Sequence, residues 1–206
     1  MHSSISLIRH GITTANIRRL YYGTTDVPLA PKGIELLKKQ AAEGIYPPAE
    51  GAQIYTTGMG RTLQTMELIY GERPHDVIKE LREINFGDFE MKSYEELMQY
   101  EEYRDWITAN NDAKAPPNGE SIRHFNERVI RGFEEVRRRH SLLTLKLRHH
   151  EEEARSIVIC HGGTISAIMN YVWPGRHDNM YGWLPDPGHG YQLLLEDDAI
   201  EGYEEF

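Results

Sequence analysis

Apolar residues along the chain fall into short runs that alternate with stretches of helical spacing. Ser6–Arg9 is a brief apolar run broken by polar residues and followed by Gly11, which predicts a strand ending in a tight turn. After Pro31, the spacing of Ile34, Leu37 and Ala41 predicts a helix with proline in its first turn. Ile54–Thr57 reads as a second strand closed by Gly58 and Gly60, and Leu63, Met66 and Tyr70 mark the helix behind it. Val77–Leu81 reads as a third strand. The polar, aromatic stretch from Ser93 to about Pro117 has helical character and stops at Pro116–Pro117. From Ser121, the residues Ile122, Phe125, Val129, Phe133 and Val136 fall on one face of a long amphipathic helix. The segment SIVICHGG predicts a strand running into a glycine turn, with Ile165, Ile168, Met169 and Val172 on the following helix. Tyr191–Glu196 closes the series as a last strand. Strands alternating with helices imply an α/β fold, a three-layer α/β/α sandwich around a mostly parallel sheet. No linker-like stretch divides residues 1–206, so one domain is expected.

Composition narrows the function. Hydrophobic content of 39% and three tryptophans suffice for a core, while apolar runs such as Ile157–Cys160 are far too short to span a bilayer. The opening MHSSISLIRH lacks a basic region followed by an apolar one, so no signal peptide is expected. One cysteine, Cys160, excludes an internal disulfide and suits a reducing cytosol, giving a cytoplasmic expectation. The net charge of −9 argues against nucleic-acid and anionic-membrane partners. Acidic runs at Glu151–Glu153, Glu196–Asp198 and Glu204–Glu205 read as solvated surface. An anion must therefore be captured by a local basic pocket against an unfavourable overall field.

Such a pocket is visible in the pattern. Arg9-His10-Gly11 and His161-Gly162-Gly163 both sit where a strand gives way to a helix, and open α/β sheets collect ligands at that end, where helix N-termini offer free N–H groups. Arg61 follows the second strand and Glu83 the third. Four strand ends thus deliver two histidines, two arginines and a carboxylate to one edge. That set suits a phosphate monoester, with cations for its oxygens, a nucleophile for phosphorus and an acid for the leaving group.

These residues resemble the histidine phosphatase superfamily, the group that includes cofactor-dependent phosphoglycerate mutases. LIRHGITTAN matches its opening pattern, YTTGMGRTLQT resembles the segment supplying the second arginine, ELREINFGDFE the segment carrying the acid, and ICHGG the second histidine. PPNGES, ahead of the long helix, recurs in small phosphatases of this group. The resemblance implies His10 as nucleophile, with Arg9, Arg61 and His161 clamping the phosphoryl oxygens. It implies that Glu83 protonates the leaving oxygen and then deprotonates the attacking water. Thr13, Asn16 and backbone groups at Gly162 and around Tyr22-Gly23 would add hydrogen bonds to the phosphate. It also implies a small helical cap inserted at about 91–120. Met59-Gly60 and Met91 depart from the usual pattern, and both are expected beside the pocket. Glu80 and Glu90 are neighbouring carboxylates, and only the segment match selects Glu83.

Other readings compete. Cys160 beside His161 invites a cysteine nucleophile, but adjacent strand residues face opposite ways. His149-His150 and the glutamates after them could place His149 and Glu153 on one helix face; with no third ligand in sight, a charged, solvated helix end is expected, and no metal and no cofactor. The reading is a metal-independent phosphatase of a small phosphorylated metabolite, closest in pattern to α-ribazole phosphatases and broad-specificity phosphatases, with α-ribazole 5′-phosphate a candidate substrate. The alternatives are a phosphoglycerate mutase and a non-catalytic phosphate-binding or scaffolding protein on the same fold. The segment between FGDFE and PPNGES is short, about 25 residues, and acidic, which favours the phosphatase; the acidic side chains are expected over the pocket. Oligomeric state has no signature in the sequence.

Overall fold

A computed structural model describes residues 2–108, 113–149 and 152–206. The elements run β1 (His2–Arg9), α1 (Thr14–Ile17), α2 (Pro31–Ala42), β2 (Gln53–Thr56), α3 (Gly60–Tyr70), β3 (Asp76–Val77), α4 (Tyr94–Leu97), α5 (Glu101–Thr108), α6 (Ile122–Leu147), β4 (Ala154–Cys160), α7 (Gly162–Val172), β5 (Gly190–Glu196) and β6 (Ala199–Glu205). They build a six-stranded sheet in the order β3-β2-β4-β1-β5-β6. The pairs β1–β4, β2–β4 and β2–β3 are parallel; β5 runs antiparallel to β1, and β6 antiparallel to β5.

The period-two alternation along the central strands sorts side chains to two faces. Ile5 and Leu7 of β1, with Val158 and Cys160 of β4, join the core beneath α6 and α7, where Phe125, Val129, Phe133, Ile165 and Ile168 meet them. Ile8, Ile157 and Ile159 point the other way and pack with Met66 of α3. Helices lie on both faces, and the sheet is mixed. The long helix α6 starts where Ser121 Oγ accepts a hydrogen bond from the His124 N–H at 3.2 Å. It buries Phe125, Val129, Phe133, Val136 and His140 along one stripe.

Three expectations are corrected. Val77–Leu81 is not a strand: only Asp76–Val77 pairs, with Tyr55 and Thr56, and Lys79–Leu81 winds into a 3₁₀ turn that drives Leu81 into the core. A last strand, β6, covers the acidic tail. It is joined to β5 through Asp197 (φ 46°) and Asp198 (φ 69°), a two-residue turn in the left-handed region that suits a hairpin. The charged helix end expected around His149 lies past the end of α6, which stops at Leu147, while β4 starts at Ala154; His150 and Glu151, between His149 and Glu153, lie outside the described residues. Part of the expected cap, residues 109–112, lies outside them as well. Among the described residues, no helix is long and apolar enough to cross a membrane.

Two sequence motifs prove to be one structural unit. Gly87 of FGDFE (φ 54°) lies so close to the PPNGES segment that an added Cβ would stand 2.0 Å from the Pro117 carbonyl oxygen. Asp88 N–H donates to Pro117 O at 2.9 Å and Glu120 N–H to Asn85 O at 2.9 Å, so the two segments interlock backbone to backbone. The Arg128 guanidinium, paired with Glu120, donates to the carbonyls of Glu80 (2.7 Å), Arg82 (3.0 Å) and Glu83 (3.4 Å). This brace fixes the backbone on which Glu83 is mounted.

Candidate active site

The C-terminal ends of the adjacent parallel strands β1 and β4 open into a cavity of about 220 Å³. Arg9 and His10 leave β1, Gly162 and Gly163 begin α7 after β4, Arg61 enters from the first turn of α3, and Glu83 comes from the turn beyond β3; all six line the cavity.

His10 is 3% exposed. Its Nδ1 lies 2.8 Å from the Gly11 carbonyl oxygen, which can only accept, so Nδ1 carries the proton and Nε2 keeps the lone pair. Burial holds the imidazole well below its ordinary pKa, the positive charges of Arg61 and Arg9 add to that, and the Gly11 hydrogen bond opposes it. The ring is therefore neutral at pH 7.

Arg61 is fully buried and fixed along its length. Nη2 donates to Gly23 O at 2.7 Å, Nη1 to Thr25 O at 3.1 Å, and Nε to His161 Nδ1 at 3.3 Å; the guanidinium lies 5.0 Å from the centre of the Tyr22 ring. Asp26 pairs with it at 3.3 Å. Arg9 donates through Nη1 to Pro185 O at 2.6 Å, while its buried Nε has no partner among the described residues. A buried guanidinium donor without an acceptor costs free energy that an incoming oxyanion would relieve.

Glu83 accepts from the Ile84 N–H at 3.0 Å and from the Gly163 N–H at 2.9 Å. Burial pushes its carboxyl above the usual carboxylate range, against the lowering pull of those N–H groups and of Arg61 and Arg9. Its neighbours have other surroundings. Glu80 is exposed at the surface, and Glu90 binds the backbone of residues 23–25, so neither lines the cavity.

Several expected contacts lie elsewhere. His161 is completely buried and does not line the cavity. Its Nδ1 accepts from Arg61, which leaves Nε2–H to donate to Thr57 Oγ1 at 3.0 Å, and its ring stands edge-on to His10 with centroids 5.3 Å apart. Both nitrogens being engaged, the ring orients Arg61 in this arrangement rather than pointing at a phosphoryl oxygen. Burial, followed by the charge of Arg61, keeps it neutral. Thr13 also lies behind the wall, as the capping residue of α1. Its N–H and hydroxyl both donate to Asn16 Oδ1 at 3.0 Å, and Tyr22 Oη donates to the same oxygen at 2.9 Å. Asn16 and Tyr22 do line the cavity; the Gly23 N–H is taken by Glu90 at 3.2 Å. Met59, Gly60 and Met91 stand off the cavity wall. Met91 holds φ 62°, a left-handed conformation in which glycine is more comfortable. Cys160 is buried in the core, where burial pushes its thiol pKa up.

Sequence reasoning missed the cavity's outer wall, formed by Leu20, Tyr21, Phe86, Trp106, Phe125 and Leu184. Tyr21 is held there by pairing of residues 20–21 with 91–93, through Tyr21 N–H to Lys92 O (3.0 Å) and Met91 N–H to Tyr21 O (2.7 Å). The aromatic content of FGDFE and of α5 was the available signal. The acidic side chains of the α4–α5 segment turn outward: Glu95, Glu96, Glu101, Glu102 and Asp105 are exposed, and Trp106 is the residue that segment contributes to the cavity. Its cations are occupied within the segment and its base, with Lys92 donating to Asp88 O at 2.5 Å, Arg104 to Met98 O at 2.7 Å and Lys114 3.5 Å from Asp105.

Residues 5–199 match the profile of the histidine phosphatase superfamily (branch 1). The chain belongs to that superfamily. It is 31% identical over 170 residues to the adenosylcobalamin/alpha-ribazole phosphatase of Escherichia coli K12, covering 79% of this chain and 75% of that enzyme. It is 24% identical over 178 residues to phosphoglycerate mutase-like protein 4 of Arabidopsis thaliana, covering 84% and 72%. The crystal structure of the alpha-ribazole phosphatase from Shigella flexneri superposes with a TM-score of 0.73 at 26% identity, covering 96% of this chain and 94% of that one. These relationships support phosphatase function within an enzyme superfamily and leave the substrate open.

Proposed function

We propose that the protein hydrolyses phosphate monoesters of a small metabolite by transferring the phosphoryl group to His10 Nε2 and then to water, without a metal ion. The observation that carries this reading is the buried, neutral His10 with Nε2 as its only unengaged nitrogen, on the floor of a cavity lined by two arginines and a raised-pKa carboxyl.

In the first step His10 Nε2 attacks phosphorus, the bond to the leaving oxygen breaks, and the protonated Glu83 carboxyl gives its proton to that oxygen. In the second, water attacks the phosphohistidine, Glu83 carboxylate takes the water proton, and the N–P bond breaks to release phosphate and free His10. Arg9, Arg61 and the N-terminus of α7 at Gly162 stabilise the charge on the three peripheral oxygens. That neutralisation leaves no step for a divalent cation. His161 holds Arg61 in place as a neutral acceptor. Asn16, whose Oδ1 is already occupied, offers its amide N–H groups to the ester; Thr13 and Gly23 act through Asn16 and Arg61.

Residues 1–206 read as one domain in which 91–120 forms the cap. The outer wall favours a leaving group with an apolar or aromatic surface, a class that includes α-ribazole 5′-phosphate. Among the described residues, the cavity lining has no cation beyond Arg9 and Arg61, so a carboxylate or second phosphate on the substrate finds no counter-charge there, which disfavours the mutase reading. The test is a panel of phosphomonoesters assayed for released phosphate with EDTA present, alongside an enolase-coupled assay on 3-phosphoglycerate supplied with 2,3-bisphosphoglycerate. Release from monoesters that survives EDTA is expected. Mutase turnover faster than phosphate release, or loss of activity restored only by added metal, would overturn the proposal.

A further inference from the structure

We propose that Glu90 is a positioning residue that aims Arg61 at the phosphoryl group by holding the backbone of residues 23–25. The carboxylate sits at a junction. Its Oε1 accepts from the N–H groups of Gly23 (3.2 Å), Thr24 (2.8 Å) and Phe86 (3.3 Å) and from the Thr24 hydroxyl (2.5 Å). Its Oε2 accepts from the Thr25 N–H at 2.6 Å and from the Thr25 hydroxyl. Successive N–H groups gathered on one anion form a nest, and their carbonyls are turned to the opposite side. On that side Gly23 O and Thr25 O receive the two ends of the Arg61 fork at 2.7 and 3.1 Å.

A planar guanidinium is oriented only if its acceptors are fixed, and the acceptors here belong to a loop with no helix or strand of its own. Glu90 ties that loop to the segment carrying Glu83 and Ile84, alongside the Thr24 hydroxyl, which lies 3.1 Å from Asn85 Oδ1. At Gly23 the contact is backbone on backbone: an added Cβ would lie 1.6 Å from Ile84 O. One carboxylate therefore couples the cationic side of the cavity to its acid side. The several donors hold Glu90 below its usual pKa despite partial burial, so it is an anion wherever Arg61 needs its acceptors. Glu90→Gln places an amide NH₂ against N–H and hydroxyl donors, so it is not an inert change beside the candidate acid.

This inference rests on the proposed role of Arg61 in anion binding, and a double-mutant cycle tests it. Glu90→Gln, Arg61→Lys and the double variant are compared for inorganic phosphate affinity by calorimetry and for kcat/KM on 4-nitrophenyl phosphate, with thermal midpoints recorded. In the wild-type background Glu90→Gln is expected to weaken phosphate binding about tenfold and lower kcat/KM by about 10–100-fold, as a misplaced clamp does. In the Arg61→Lys background, where a flexible ammonium is not oriented by the two carbonyls, the same substitution should cost at least about fivefold less. Equal costs in both backgrounds, or no cost in either, would overturn the proposal. If Glu90→Gln does not fold, Thr25→Val, which removes one donor and keeps the carboxylate, should shift phosphate affinity the same way by a smaller factor; unchanged affinity would count against the proposal. A wild type that binds phosphate yet hydrolyses nothing would count against the phosphatase reading alone, since the binding arm still judges Glu90.

Discussion

At the scale of single residues, the site depends on two groups whose protonation states are set by burial. Burial lowers the His10 pKa, helped by the charges of Arg61 and Arg9, and burial raises the Glu83 pKa against the pull of its hydrogen bonds and of the two arginines. The two shifts fix the signs of a pH profile. The acid limb, where His10 takes up a proton, lies below the ordinary histidine range; the alkaline limb, where Glu83 loses one, lies above the ordinary glutamate range. Glu83→Gln should remove the alkaline limb. It should slow alkyl phosphates by about 10²–10⁴-fold, while aryl phosphates, whose leaving oxygen needs no proton, lose little. Equal losses for both substrate types, with the alkaline limb intact, would place the acid elsewhere. That His10 reaches the edge of the sheet was legible because it directly follows a strand; Glu83 follows a 3₁₀ turn instead, and only its segment's resemblance to the family pointed to it. The partners were not legible: that both nitrogens of His161 are engaged by Arg61 and Thr57, or that Thr13 lies behind Asn16, depends on side-chain directions that spacing does not encode.

At the scale of elements, the long periodic segments were legible and the short ones were not. α6 and α7 announce themselves through apolar stripes that only a helix can bury on one side. β3 is two exposed residues whose sequence continues apolar because Leu81 enters the core from a 3₁₀ turn, so an apolar run was mistaken for a longer strand. β6 was hidden by its acidic, solvent-facing composition, although Asp197-Asp198 is a turn that tolerates the left-handed conformation of a two-residue hairpin. The outer wall of the cavity depends on α5, where Trp106 packs with Tyr21, Phe86, Phe89 and Tyr103 at ring separations of 5.7–6.4 Å. If this cluster grips the leaving group, Trp106→Ala should raise KM for aryl phosphates about tenfold, corresponding to the loss of roughly 1.4 kcal/mol of apolar contact. It should leave KM for glycerol phosphate and inhibition by free phosphate nearly unchanged. Equal weakening of all three would mean that the tryptophan supports the phosphate floor and does not contact the leaving group.

At the scale of the whole molecule, a chain of net charge −9 gathers two buried arginines where two parallel strands end beside each other, which is what the proposed capture of a phosphate monoester needs. The sheet order places β1 next to β4 and β2 beyond it, so residues as distant in sequence as Arg9, Arg61 and Gly162 converge without any local signal linking them. The interlocked FGDFE and PPNGES segments brace the acid side, and α7 directs its N-terminus at the same point. In the proposed reaction all of this serves one chemical event, the transient bond between phosphorus and His10 Nε2. The most direct measurement is acid-sensitive labelling: enzyme mixed with a ³²P-labelled monoester, quenched within the turnover time, digested and sequenced. Label is expected on the peptide carrying His10, stable in alkali and lost in acid, and absent in His10→Ala. Acid-stable label, label on another residue, or turnover by His10→Ala above a few per cent of wild type would contradict a phosphohistidine at His10.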